Sequence, residues 1–238
     1  KVFHRHGISC TFIFSFGFGK NKRFVCITEG LDCYAWDLTE IDGADDLHDA
    51  DGILADAMAR TAALYGARRC WYLVGGSTVG LLAGIRALAP FGSTVIAARN
   101  CHKAVYHAIE LGQLTTRWLT PPDARCVILT SPTYEGVLSD IRTIAEICHA
   151  RGVPLLVDEA HGAHYLPFAA RYGWRGGAVA AGADLVVQSA HKTLPSLTQT
   201  AFLQLNGDLA DPAGVERQLD VFETSSPSYP LMVSLDGC

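Results

Sequence analysis

Between residues 70 and 205 short apolar runs alternate with helical patterns, and few folds satisfy that alternation. The runs lie at 70–74, 94–98, 125–130, 154–158, 184–188 and 200–205, with helical segments mostly between or after them at 78–89, 102–112, 139–151 and 211–220. A strand that is apolar on both faces has to be covered on both. Helices in the connections supply that cover, which predicts an α/β domain built on a mostly parallel sheet. In such sheets ligands sit at the carboxyl ends of the strands, where loops run into helix N-termini. Ahead of the alternation, a helix is predicted from Ile53 to Tyr65, with Ile53, Leu54, Ala57, Met58, Thr61 and Leu64 as its apolar stripe. Asp37 to His48 reads as an acidic, turn-rich lead-in, and residues 1–36 hold no sustained period.

With 49% hydrophobic and 18% charged residues, the 238-residue chain buries a substantial core, and one large domain is the simplest count. A formal charge of −5, a pI near 6.0 and the lack of a long basic run give no electrostatic reason to expect nucleic acid or an anionic membrane as partner. A small soluble ligand is the expectation. The eight cysteines show no paired two-residue spacing, and most lie in apolar segments such as Arg125-Cys126-Val127-Ile128-Leu129. That usage points to reduced thiols and a cytoplasmic protein. The apolar stretch Ile8 to Phe18 is short for a membrane span, and no small-residue cleavage pattern follows it. The chain starts at Lys1 and stops at Leu235-Asp236-Gly237-Cys238, which reads as a fragment.

Three segments carry chemistry. Gly75-Gly76-Ser77-Thr78 ends one apolar run and opens a helix, where glycines allow close approach of an anion and first-turn amides and hydroxyls donate to it. A plain strand-to-helix turn with a Ser or Thr cap is the alternative. Asp158, in Leu155-Leu156-Val157-Asp158-Glu159-Ala160-His161, closes a buried strand. A nucleotide-hydrolase magnesium site there would need a phosphate loop that Gly19-Lys20-Asn21 does not supply, and a zinc site on His161 and His164 lacks a third ligand. Such a carboxylate also suits a protonated ring nitrogen. Lys192, in Gln188-Ser189-Ala190-His191-Lys192-Thr193, follows the next apolar run. Taken alone it is an ordinary solvated lysine. Desolvated, it is an amine nucleophile toward an aldehyde, with Ser189 and His191 as flanking donors. Together the three segments meet the phosphate, ring nitrogen and aldehyde carbon of pyridoxal 5′-phosphate (PLP).

The runs Ala98-Arg99-Asn100-Cys101-His102-Lys103-Ala104-Val105-Tyr106-His107-Ala108, Thr130-Ser131-Pro132-Thr133-Tyr134-Glu135-Gly136, Asp158-Glu159-Ala160-His161-Gly162-Ala163-His164 and Thr224-Ser225-Ser226-Pro227-Ser228-Tyr229 resemble, in the same order, the major domain of the Orn/Lys/Arg decarboxylases. The likeness runs from about Asp37 to Asp236. It implies a fold type I PLP-dependent large domain, with a mostly parallel seven-stranded sheet covered by helices on both faces. It also implies that Lys192 is the Schiff-base lysine, Asp158 the ring-nitrogen partner and His102 the imidazole stacked on the ring. Gly76, Ser77, Thr78, Ser189 and His191 would hold the phosphate, and His161 would lie near the ring. His102 as a mere helix-start residue is the alternative. The reaction implied is decarboxylation of arginine, lysine or ornithine to its amine, a step of polyamine biosynthesis, in a homodimer to which the Ser225-Ser226-Pro227 turn contributes near the active site.

The departures are as informative. His4-Arg5-His6-Gly7 only faintly echoes the family's Pro-Gly-His-Lys stretch, and the smaller C-terminal domain is not in this sequence. The expected division is an atypical segment at 1–36, a PLP-binding domain at 37–220 and the start of a connection at 221–238. An aminotransferase or aldolase of the same fold, or a catalytically silent fragment, are the competing readings.

Overall fold

A computed structural model describes residues 10–12, 27–31, 45–117, 123–173 and 176–238. A small antiparallel ribbon pairs β1 (Cys10–Phe12) with β2 (Ile27–Leu31). The rest of the segment read as atypical, including His4 to Gly7, lies outside the described residues. Then follow α1 (Ile53–Tyr65), β3 (Arg69–Leu73), α2 (Ser77–Leu88), β4 (Thr94–Ala97), α3 (Lys103–Leu111), β5 (Thr115–Arg117) and β6 (Ala124–Thr130). The chain continues through α4 (Ile141–His149), β7 (Leu155–Asp158), α5 (Tyr165–Tyr172), α6 (Gly177–Ala180), β8 (Leu185–Gln188) and α7 (Ala190–Thr193). It closes with β9 (Ala201–Leu205), α8 (Pro212–Phe222) and α9 (Tyr229–Asp236). Among the described residues no helix is long and apolar enough to cross a membrane.

Seven strands form one sheet in the order β3-β9-β8-β7-β6-β4-β5, parallel except for β9, which runs against both β3 and β8. The predicted α/β architecture, with helices on both faces, is the one observed. All six predicted strands are present within a residue or two of their expected bounds, and β5 is an addition. Its three residues, Thr115, Thr116 and Arg117, form an edge strand with two exposed side chains, so it carries no apolar run to betray it. Because β3 and β8 both oppose β9, the carboxyl ends of β3, β4, β6, β7 and β8 share one edge of the sheet. The turn that enters β9 arrives at the same edge.

One face of the sheet packs against α2, α3 and α8, and the other against α1, α4 and α6. The predicted stripe on α1 needs correction: Leu54, Ala57, Met58, Ala62 and Tyr65 are buried, whereas Ile53 and Leu64 are exposed at 63% and 61%. The buried set follows the helical period from the Leu54-Ala57-Met58 side, so Tyr65 rather than Leu64 turns inward to Phe202, with the ring centroids 6.1 Å apart. The start of α1 is held by Asp45, whose carboxylate accepts from the Gly52 and Leu54 amides at 3.0 and 2.7 Å. At the far end of the chain α9 buries Tyr229, Met232 and Leu235 against the same core.

Helix α2 lies unusually close to the sheet. A Cβ on Gly80 would come within 2.7 Å of Leu73 and 3.0 Å of Val187, and one on Gly84 within 2.8 Å of Leu156. Glycine in a helix interior costs up to about 1 kcal/mol relative to alanine, so the sequence accepts poorer helix formers to bring this helix down. Gly84→Ala is therefore expected to destabilise the chain, by about 1–3 kcal/mol of overpacking, despite its better helix propensity. The urea midpoint measures it; a midpoint that rises would show that α2 is not seated on Leu156.

Candidate active site

Alternation along the strands sorts the residues at the carboxyl edge by face. Leu156, Leu185 and Val187 belong to the cluster beneath α2, whereas Leu155, Val157 and Val186 belong to the one beneath α4 and α6. Asp158 therefore faces the α2 side, and Glu159 the opposite side. Thr130 pairs in register with Asp158 and shares its face; its Oγ1 is buried without a partner among the described residues. Glu159 and Gln188 meet on the other face, Gln188 Nε2 donating to Glu159 Oε2 at 2.8 Å.

Asp158 is 3% exposed, and its Oδ1 accepts from the Ala160 amide at 3.1 Å. Burial pushes its carboxyl above the usual range, opposed by that amide and then by the charges of Lys192, His102 and His161. Residues 34 and 56 positions away are thus gathered around one carboxylate. His161 is held below the ordinary imidazole value by partial burial, with Lys192 and His102 acting in the same direction and Asp158 against them. Its ring meets that of Tyr134 edge-on, centroids 5.6 Å apart. His102 fulfils its helix-start alternative, because Nδ1 caps α3 by accepting from the Ala104 amide at 3.2 Å. That bond spends one ring nitrogen and leaves the imidazole within electrostatic reach of Asp158.

Lys192 departs from expectation in one respect. It stands on the single turn of α7 and is exposed rather than desolvated. The strand before it is buried, but two residues of helix past Ala190 already lift the side chain out of the core.

The glycine-rich turn lies at the N-terminus of α2. Gly76 adopts φ 83° and ψ 174°, a conformation for glycine, and makes no side-chain cap. The amides of Ser77 and Thr78 are first-turn donors without intrahelical acceptors. A Cβ on Gly76 would lie 3.5 Å from the Gln199 carbonyl, so the turn entering β9 borders the cup. The next residue, Thr200, accepts from His191 Nδ1 at 2.8 Å, which fixes that ring and leaves its Nε2 for another partner. Ser189 is fully buried, and its Oγ has no partner among the described residues. Unspent donors on α2 and Ser189, a glycine cradle, and a buried carboxylate that a cation would relieve together fit a phosphorylated, nitrogen-bearing ring. Among the described residues no group of three His, Cys, Asp or Glu side chains is arranged to hold a metal.

Four further features escape sequence reading. Thr130 and the Glu159–Gln188 pair announce themselves only once strand register is known. Tyr65 donates from its hydroxyl to the Ala163 carbonyl at 2.6 Å and so fixes the loop that carries His161. Glu223, 8% exposed at the end of α8, accepts from the Val74 and Gly75 amides and ties α8 to the cup. The turn at 225–227 follows it directly, beside a cavity of about 410 Å³ lined in part by Gly75, Gln199, Glu223 and Ser226.

Residues 29–131 and 120–237 match the family described as Orn/Lys/Arg decarboxylase, major domain. A Bacillus subtilis protein described as uncharacterized protein YaaO is 40% identical over 228 residues, covering 84% of this chain and 46% of that protein. The arginine decarboxylase of the same bacterium is 34% identical over 236 residues, covering 87% of this chain and 46% of its own length. The chain spans about half the length of these curated relatives. Among solved structures, the Francisella novicida lysine decarboxylase superposes with a TM-score of 0.73 at 21% identity, over 86% of this chain and 33% of that one. The Sphingomonas wittichii serine palmitoyltransferase does so at 0.59 and 19%, over 77% and 49%. The shared architecture is the fold type I large domain of PLP-dependent enzymes.

The Glu159–Gln188 pair locks the strand end bearing Asp158 to the one leading to Lys192, and Glu159 Oε1 also accepts from the Ala178 amide at 2.8 Å. Burial pushes the Glu159 carboxyl up to about 7, against the pull of Gln188 and Ala178. With the folded value above the unfolded one, the protonated form is favoured by folding. Stability from this group is full below about pH 4.5 and is lost as pH rises through 7. Glu159→Gln, which pairs with a flipped Gln188 amide, is expected to remove a loss on the order of 3 kcal/mol between pH 5 and 8. Thermal melts across that range report it; equal pH slopes in the two proteins would refute it.

Proposed function

The chain belongs to the Orn/Lys/Arg decarboxylase family through that family's major domain, and from this premise we propose that it holds PLP on Lys192 for the decarboxylation of a basic amino acid. The gathering of Lys192, His102 and His161 around buried Asp158, on the face of the sheet that carries the α2 cup, supports the reading above all else. The same reading includes a homodimer as the working unit.

When bound, the cofactor supplies an aldehyde and a ring that accepts the electrons of the broken bond. Lys192 Nζ is the amine for the aldehyde, and its exposure leaves it open to exchange with an incoming amino group. Asp158 holds a proton on the ring nitrogen, since a cation beside it restores the charged carboxylate that burial disfavours. Ser77 and Thr78 amides and hydroxyls, with Ser189 Oγ and His191 Nε2, bind the phosphate, and Gly76 keeps the backbone out of its way. His102 walls the ring and orients the substrate carboxylate. His161, kept largely neutral near pH 7, accepts a hydrogen bond without adding repulsion to Lys192.

PLP added to the chain is expected to give a visible absorption band, and borohydride to fix the label on Lys192; Lys192→Ala loses both. A label on another lysine would overturn the assignment. In the full-length protein, Asp158→Asn is expected to keep the label while slowing carbon dioxide release from arginine, lysine or ornithine at least about a hundredfold, on the scale of losing a buried charge partner in the transition state. A keto acid formed without carbon dioxide would favour the aminotransferase reading instead.

A further inference from the structure

Glu223 presents an unusual arrangement at a site meant for an anion. Its Oε2 accepts from the Val74 and Gly75 amides at 3.1 and 3.3 Å, and its Oε1 accepts from the Thr224 amide at 3.0 Å. A Cβ on Gly75 would lie 2.9 Å from Oε1, so the carboxylate fills the space behind the glycine turn. Three N–H groups reach it from two directions, which an acceptor with two equivalent oxygens satisfies and a carboxamide does not. One carboxylate thus pins the end of β3 and the start of the 224–227 turn together, and its Gly75 contact lies two residues before the Ser77 amide.

A second negative charge bonded to the same glycine turn, in a largely buried setting, repels whatever anion enters the cup. We propose that Glu223 is a positioning residue for the phosphate cup whose charge makes phosphate binding proton-linked, tighter when the carboxyl is protonated. This rests on the PLP reading above. Burial already raises the Glu223 carboxyl above its ordinary range, against the Thr224, Gly75 and Val74 amides and the nearby His48. His48, in the loop before α1, is the titratable neighbour: its Nε2 lies 2.8 Å from the Thr224 carbonyl and its Nδ1 3.1 Å from Asp220 of α8. Asp220 and Asp46 act on His48, and together with the Thr224 carbonyl they raise its affinity for a proton despite partial burial. An incoming phosphate adds to the cost of keeping Glu223 ionised, so binding takes up a proton.

The test compares PLP dissociation constants of the chain and its Glu223→Gln variant from pH 5 to 8 by visible absorption. The phosphate's own titration cancels in the ratio of the two proteins. The carboxamide gives up the Thr224 contact at every pH, so the charge effect shows as slope rather than offset. The variant's relative affinity is expected to be smallest at pH 5 and to grow by about tenfold toward pH 8, with no such growth for pyridoxal, which lacks the phosphate. A ratio independent of pH, or an equal slope with pyridoxal, overturns the proposal. If circular dichroism shows the variant unfolded, His48→Gln reads the same group: loss of the cation moves the pH step upward, and an unmoved step refutes it. A parent chain that binds PLP nowhere in this range, or that is labelled away from Lys192, removes the cofactor reading itself rather than the role of Glu223 alone.

Discussion

Gly80 and Gly84 let α2 rest within van der Waals contact of Leu73, Val187 and Leu156, and the position of its first turn follows from that seat. These three residues lie on β3, β8 and β7, the strands whose carboxyl ends carry the glycine turn, the Lys192 segment and Asp158. A helix lifted by the width of a methyl group would move its unspent amides away from all three. The glycines are therefore as much a part of the site as the side chains that face a ligand. The alternation of the sheet completes the arrangement, since it puts Asp158 and Thr130 on the α2 face and sends Glu159 and Gln188 to the other.

Three buried carboxylates surround this edge, and each is satisfied differently. Asp158 has one backbone donor and a ring of cationic or ionisable neighbours, which suits a group meant to receive a charged partner. Glu159 has a backbone amide and a side-chain amide, both neutral, and burial dominates. Glu223 has three backbone donors and the nearby His48, which suits a structural anion that pins backbone at the glycine turn. Burial alone does not distinguish them; the donors do.

Much of this was legible in the order of residues. The strands, the main helices and the convergence of positions 76–78, 102, 158 and 192 on one sheet edge follow from apolar period and from the rule that ligands bind where strands end. What escaped had physical reasons. Strand β5 has no apolar run, because an edge strand facing solvent needs none. Leu64 and Tyr65 are both hydrophobic neighbours on α1, and only the phase of the helix against Phe202 decides which is buried. Gln188 and Glu223 act through partners far away in sequence, Thr130 comes beside Asp158 only through strand register, and no local pattern marks a pairing that register and helix packing create. The exposure of Lys192 was missed for a related reason: a buried strand predicts its own burial, not that of the turn beyond it.

That exposure bears on what this chain contributes to selectivity. An open lysine is a nucleophile toward many aldehydes and has no means of preferring one. Preference has to come from groups that are already fixed before a ligand arrives. On the proposed reading those are the α2 amides, the Ser189 hydroxyl and the His191 ring braced by Thr200, as donors to a phosphate, and Asp158, as the partner of a ring nitrogen. All are held by buried strands or by backbone hydrogen bonds, so they lose little freedom on binding. On that reading the lysine completes a choice made by its neighbours, and its exposure leaves it open to replacement by a substrate amine.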